Sequence, residues 1–305
     1  MKTAIVGYTG FVGSNIFAQG KFDGAYNSRN IQDAYGTDPD LLVYAGMRAE
    51  KFLANAHPEK DYALVEEAER NIEYINARKV VLISTIDVFK DPMGVDEGSA
   101  IDIDGLNAYG LNRYKLEMWV RENFYNSLIV RLPGLFGRNI KKNFIFDMIN
   151  IVPTMLSSEK FEELALRKSS LREWYVLQDN GFYKVKPLDA RNKDYLKKIF
   201  LELGFSAMNF TDSRSRYQFY NLERLWGDIQ LALESGINLL HPATEPVSAG
   251  ELCEFVTGEK FVNELNLRPA NYDYKTLHAE LFGGRDGYIE SKSSVMEQIR
   301  RFVKG

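Results

Sequence analysis

Apolar residues in this chain fall in short unbroken runs separated by longer stretches of mixed character. Lys2–Gly7, Leu41–Ala45, Val80–Ser84 and Leu128–Leu132 are such runs, rich in Val, Ile and Leu. A run without polar alternation predicts a strand covered on both faces, as in a parallel sheet flanked by helices. Between these runs, Tyr62, Val65, Ala68, Ile72 and Ile75 recur at helical spacing within Pro58–Ala77, and Ser14–Gln19 and Tyr109–Glu122 also read as helical. Strand–helix alternation predicts an α/β fold with a doubly wound parallel sheet over residues 1–150. Residues 151–305 are less regular. Asn192–Leu203 and Leu222–Leu233 read as helices and Glu173–Lys186 as a strand or hairpin, giving a smaller C-terminal α/β lobe whose interleaving with the first is left open.

Composition narrows the class. The 305 residues are 45% hydrophobic and 26% charged, with a formal net charge of −4. That balance offers no general attraction to nucleic acid or an anionic membrane surface. No apolar run approaches the roughly 20 residues of a membrane-crossing helix. The one cysteine, Cys253, makes no internal disulfide, and Met1–Gly7 leads into a glycine turn rather than a signal-peptide cleavage site. Both features point to a cytoplasmic protein. His57, His241 and His278 are scattered without ligand spacing, so no metal site is expected.

Directly after the first strand comes Gly7-Tyr8-Thr9-Gly10-Phe11-Val12-Gly13, with the spacing Gly-x-x-Gly-x-x-Gly at the opening of a helix. Glycines there permit positive φ, close approach of backbone to a pyrophosphate and tight packing of helix on strand. The helix N-terminus adds free N–H groups and the positive end of its dipole. The context predicts dinucleotide binding in a Rossmann-like domain. NAD is held by an acidic residue closing the second strand, but Gly24–Arg29 contains no carboxylate. Ser28 and Arg29 suit a 2′-phosphate instead, which favours NADP while leaving NAD open.

Three further segments carry candidate chemistry. The strand ending at Ala45-Gly46 has small residues past which a cofactor can run, and Ser84-Thr85-Ile86-Asp87-Val88-Phe89 places a hydroxyl at a strand end. Asn107-Ala108-Tyr109-Gly110-Leu111-Asn112-Arg113 sets a tyrosine and a cation four residues apart on one helix face. Together these features resemble the extended short-chain dehydrogenase/reductase family, well over residues 1–150 and loosely beyond. The resemblance implies Tyr109 as general acid/base, Thr85 as hydrogen-bond partner of the reacting oxygen, and Arg113 in the place of the family's lysine. Glu117 sits where the family often has an acid on the same helix. An arginine supplies charge and can donate to ribose hydroxyls but cannot relay a proton, so altered or absent catalysis stays open.

Within that family the residues look most like the NAD(P)-dependent nucleotide-sugar epimerase/dehydratase/reductase branch. Ile86 stands where the dehydratases carry an acid, which disfavours dehydration. By the same resemblance Arg48, Asp87, Asn107 and Arg216 are the substrate contacts. Arg216, aided by Arg214, would grip a pyrophosphate, with Lys141, Lys142 and Asn143 as helpers. The expected activity is an oxidoreductase or epimerase acting on a nucleotide-linked sugar, with a homodimer left open. Two alternatives stand beside it: a reductase of a small carbonyl compound, and a cofactor-binding sensor or scaffold without catalysis.

Overall fold

A computed structural model describes residues 1–305. The chain divides into two compact units: Met1–Ile140 with Arg216–Val247 and Asn271–Gln298, and Lys141–Ser215 with Ser248–Ala270 and Ile299–Gly305. The first unit thus ends its opening segment ten residues before position 150 and then recovers two later pieces of chain. The physical reason lies in the sheet, whose sixth strand, Leu239–Leu240, is supplied by the returning segment.

The first unit is built on β1 (Thr3–Val6), β2 (Gly24–Tyr26), β3 (Leu41–Tyr44), β4 (Val80–Thr85) and β5 (Leu128–Leu132). With Leu239–Leu240 at one edge, the order is Leu239–Leu240, β5, β4, β3, β1, β2, and every pairing is parallel. Alternate residues of one strand enter different cores. Ile5, Val43, Val81 and Val130 pack on one face with Ile16 of α1 (Phe11–Gln19) and with Trp226 and Ile229 of the helix Leu225–Glu234. Val6, Leu42, Leu82 and Ile129 pack on the other, against Val65, Ala68 and Ile72 of α3 (Pro58–Ile75) and Leu116 and Val120 of α4 (Ala108–Asn123). The unbroken apolar runs follow from this double covering. The short α2 (Lys51–Ala56) lies between β3 and α3 in sequence.

Because β2 lies on one side of β1 and β3 on the other, the winding reverses between β1 and β3. A crevice at the carboxyl ends of two such strands is where open α/β sheets bind ligands. The second unit has its own core, formed by Leu156, Phe161, Leu164, Tyr175, Leu196, Ile199 and Phe200 among others. Its three-stranded antiparallel sheet has Phe182–Val185 between Met155–Ser157 and Tyr175–Leu177, so the expected hairpin within Glu173–Lys186 is present. No helix of the chain is long and apolar enough to cross a membrane.

Candidate active site

The glycine turn occupies the β1/β3 crevice. Gly7 has φ of +88° and donates its N–H to the Tyr26 carbonyl at 2.7 Å. A Cβ at Gly7 would lie 2.4 Å from the Ala45 carbonyl oxygen, and one at Gly13 would lie 2.1 Å from that of Gly7. These two positions therefore exclude any side chain, because helix and strand ends meet backbone to backbone. Gly10 differs: it is exposed, caps α1 without a side-chain hydrogen bond, and no acid occupies the first turn. The amide end of α1 is left bare beside exposed Thr9, while Phe11 and Val12 turn toward the sheet core. A helix N-terminus over a turn whose Gly7 and Gly13 admit no side chain fits the pyrophosphate of a dinucleotide. Beyond β2, Ser28 and Arg29 are both exposed, in a turn where the Asn27 side chain accepts from the Arg29 N–H at 2.9 Å.

Tyr109 lies in the first turn of α4, which Asn107 caps by accepting from the Gly110 N–H at 3.1 Å. Its backbone N–H donates to Asn55 of α2 at 3.0 Å, tying the start of α4 to that short helix. The residue is 7% exposed. Burial holds its phenol above the ordinary value; Arg113 and a hydrogen bond with Thr85 pull it down, while Asp87 and Asp61 push it up. Thr85 ends β4 and also accepts from the Asp87 N–H at 3.2 Å. Asp87 in turn pairs with Lys51 of α2 at 3.0 Å and accepts from the Tyr272 hydroxyl at 3.1 Å. Ile86 points away into a cluster with Val88, Phe89, Ala243 and Tyr274.

The guanidinium of Arg113 sits over the Tyr109 ring, 4.6 Å from its centroid. Arg113 is 4% exposed and its terminal nitrogens are committed. Nη1 donates to Asp61 Oδ2 at 2.9 Å, and Nη2 to Asp61 Oδ1 at 3.0 Å and to the Arg48 carbonyl at 2.6 Å. Asn112 donates to the same Asp61 oxygen as Nη1, at 3.0 Å. The two terminal nitrogens are thus turned toward α3 and the Arg48 backbone.

Arg216 is exposed on a short strand, Arg216–Tyr217, held to the later segment by the Tyr272 N–H donating to the Arg216 carbonyl at 3.1 Å. Tyr217 stacks on Tyr272, whose hydroxyl reaches Asp87 beside Tyr109. A line of contacts thus links Arg216 to the tyrosine within one unit. Arg214 is not available to help it. Its guanidinium is bound by Asp212 at 2.7 and 2.9 Å and by Glu264 at 2.9 Å. Asn143 caps the short helix Phe144–Ile149 by accepting from the Phe146 N–H, and Lys141 is exposed beside it in the second unit.

Residues 1–159 match the model of the RmlD substrate binding domain family, just over half of the chain. The chain belongs to that family. It is a nucleotide-sugar branch of the extended short-chain dehydrogenase/reductases, as the motifs implied. No curated protein matches the sequence. Among solved structures, the dTDP-4-dehydrorhamnose reductase of Yersinia enterocolitica superposes with a TM-score of 0.64 at 13% identity, over 99% of this chain and 98% of that one. The Bacillus anthracis dTDP-4-dehydrorhamnose reductase, in complex with NADP, gives 0.63 at 17%, over 100% and 99%. A UDP-N-acetylglucosamine 4-epimerase from Methanobrevibacter ruminantium, in complex with UDP-N-acetylmuramic acid, gives 0.62 at 13%, over 99% and 97%. At such identities these likenesses show the fold.

In this RmlD-family chain the structure brings together Thr85, Tyr109, Asp87 and Arg113, with the Arg48 backbone at their edge. It gives Asn107 a capping bond and leaves Arg48 exposed. Glu117 does not join them. It is fully buried on α4 and pairs with Arg131 at 2.6 Å. Four residues went unnoticed in the sequence: Asp61, Asn55, Lys51 and Tyr272. Asp61 had the only local signal, as an acid in the first turn of a helix, and that position is ordinary for a solvated carboxylate favoured by the helix dipole.

Proposed function

We propose that the chain is an NAD(P)-dependent oxidoreductase or epimerase acting on a nucleotide-linked sugar, with NADP(H) as the preferred cofactor. One observation carries the reading: a buried phenol, Tyr109, lies against Thr85 at the carboxyl end of β4, in the unit whose β1/β3 crevice holds the glycine turn. The family membership and the cofactor and ligands named for the similar structures support it.

When bound, the nicotinamide supplies a hydride acceptor or donor for a sugar carbon. The protein's own residues do the rest. The α1 amide end and the turn from Gly7 to Gly13 hold the pyrophosphate, Ser28 and Arg29 meet the 2′-phosphate, and Ala45 and Gly46 leave room for the cofactor to pass. Tyr109 exchanges a proton with the sugar oxygen, and Thr85 orients that oxygen. Arg216 holds the nucleoside diphosphate through forked, charge-assisted bonds.

Calorimetry with NADPH, NADH and a panel of nucleoside diphosphates tests this. The expected result is tighter binding of NADPH than NADH, with the preference lost in Arg29→Ala. Binding of neither dinucleotide overturns the reading.

A further inference from the structure

The residue beside Tyr109 that departs from the family is Arg113, and its surroundings decide what the departure does. A lone cation within about 5 Å of a phenol favours the ionised form. Arg113 is not a lone cation. Both oxygens of Asp61 face its two terminal nitrogens at 2.9 and 3.0 Å, both side chains are buried, and the Arg48 carbonyl adds a third acceptor at 2.6 Å. A bidentate pair carries no net charge, and the field of the resulting dipole falls off faster than that of a single charge. Arginine, unlike lysine, has no accessible neutral form through which the arrangement could relax.

Of the other charges near the phenol, Asp87 pushes it up, as Asp61 does. From the turn after β4 comes Asp87, compensated by Lys51 of α2, with the Tyr272 hydroxyl as a further donor. From α3 comes Asp61, and from α4 Arg113 itself. One cation and two anions act on a ring that is almost fully withdrawn from water.

We propose that Asp61 is a positioning residue that fixes Arg113 over the Tyr109 ring and offsets its charge, so that the buried phenol stays protonated and the site is set to donate a proton. This rests on the reading of Tyr109 as the proton-exchanging group. It separates the two activities left together above: proton donation suits reduction of a sugar carbonyl, whereas epimerisation begins by withdrawing a proton from a hydroxyl. Asp61 touches neither reacting atom and acts through Arg113.

The test uses the cofactor-free protein labelled with [ζ-13C]tyrosine and titrated by NMR, the Tyr109 signal being the one missing from Tyr109→Phe. Wild-type Tyr109 is expected to titrate above the ordinary tyrosine value of about 10. Asp61→Asn is expected to lower its midpoint by about one pH unit or more, by leaving Arg113 uncancelled. Asp61→Leu combined with Arg113→Met removes both charges without leaving one buried alone, and is expected to move the midpoint by less than about half a unit. An unmoved midpoint in Asp61→Asn overturns the proposal. So does a rise of about one unit in the double variant, which decides the matter even where the single variant does not fold. Because the titration needs neither substrate nor turnover, its failure is distinct from failure of Tyr109→Phe to abolish activity.

Discussion

Glu117 and Arg131 face each other inside the sheet–helix core of the first unit, 0% and 2% exposed, with Oε2 2.6 Å from Nη2. Arg131 Nε donates to both oxygens of the carboxylate, and the Ser84 hydroxyl donates to Oε1. The remaining terminal nitrogen lies 3.3 Å from His241 Nε2. The pair ties α4, which carries Tyr109, to β4 and β5. Its bonds are saturated, so removing one partner strands a buried charge. Glu117→Gln is expected to destabilise the protein by about 3–5 kcal/mol, whereas Glu117→Leu with Arg131→Met costs far less. Urea denaturation of the three proteins checks this; equal losses would show that the geometry, not the uncompensated charge, sets the cost.

Tyr109→Phe removes only the phenolic oxygen from a ring held by packing and by Arg113. Dinucleotide affinity is expected to stay unchanged, while turnover on a nucleotide-linked sugar falls about a hundredfold or more. Calorimetry and steady-state kinetics on one preparation give both numbers. Unchanged turnover removes Tyr109 from the chemistry.

Arg214 and Arg216 stand two residues apart and differ in what binds them. Arg214 is held by Asp212 and Glu264, and the carboxyl of Asp212 lies far below the usual range, mainly through its hydrogen bonds with that guanidinium. Arg216 is exposed, with its backbone anchored. Arg216→Ala is expected to weaken nucleoside diphosphate binding about tenfold or more, a loss of at least about 1.4 kcal/mol. Arg214→Ala leaves that affinity in place and lowers the melting temperature instead. The reverse pattern in calorimetry would exchange their roles, and no effect from either would favour a small carbonyl substrate.

These contrasts show where the chain was readable. β3, β4 and β5 announce themselves because two helix layers demand apolar residues on both faces of the sheet. The glycine turn does so because helix packing and phosphate approach both forbid side chains at fixed spacing. Leu239–Leu240 gave no signal: a two-residue strand has no periodicity, and its place at the sheet edge depends on chain that has first left the unit. The Asp61–Arg113 pair was equally silent, since 52 residues separate its members and each has an ordinary local reading. Arg214 and Arg216 look alike in sequence because their difference lies wholly in the neighbours brought by folding.

Two titratable groups, one in each unit, His241 buried and Asp147 half-buried, should give stability opposite dependences on pH. Burial, reinforced by Arg131, lowers the His241 imidazole from 6.5 to about 3. It stays neutral in the fold while the unfolded chain takes up a proton, so its contribution is complete above pH 6.5 and is lost as the pH falls toward 3. Acidification from pH 7 to 5 therefore costs about 2 kcal/mol through this group. Asp147 behaves the other way. Burial alone raises its carboxyl from 3.8 to about 7, so the fold binds a proton the unfolded chain has released, and stability is lost as the pH rises from 3.8 through 7. Urea denaturation at pH 5, 6, 7 and 8 resolves the two by difference. His241→Gln is expected to be less stable than wild type at pH 7 and to lose that disadvantage toward pH 5. Asp147→Asn is expected to gain on wild type from pH 5 to 7 and to level off by pH 8, because an amide carries no charge into the fold. A pH-independent gap in either comparison would mean that the group titrates alike in the folded and unfolded chain.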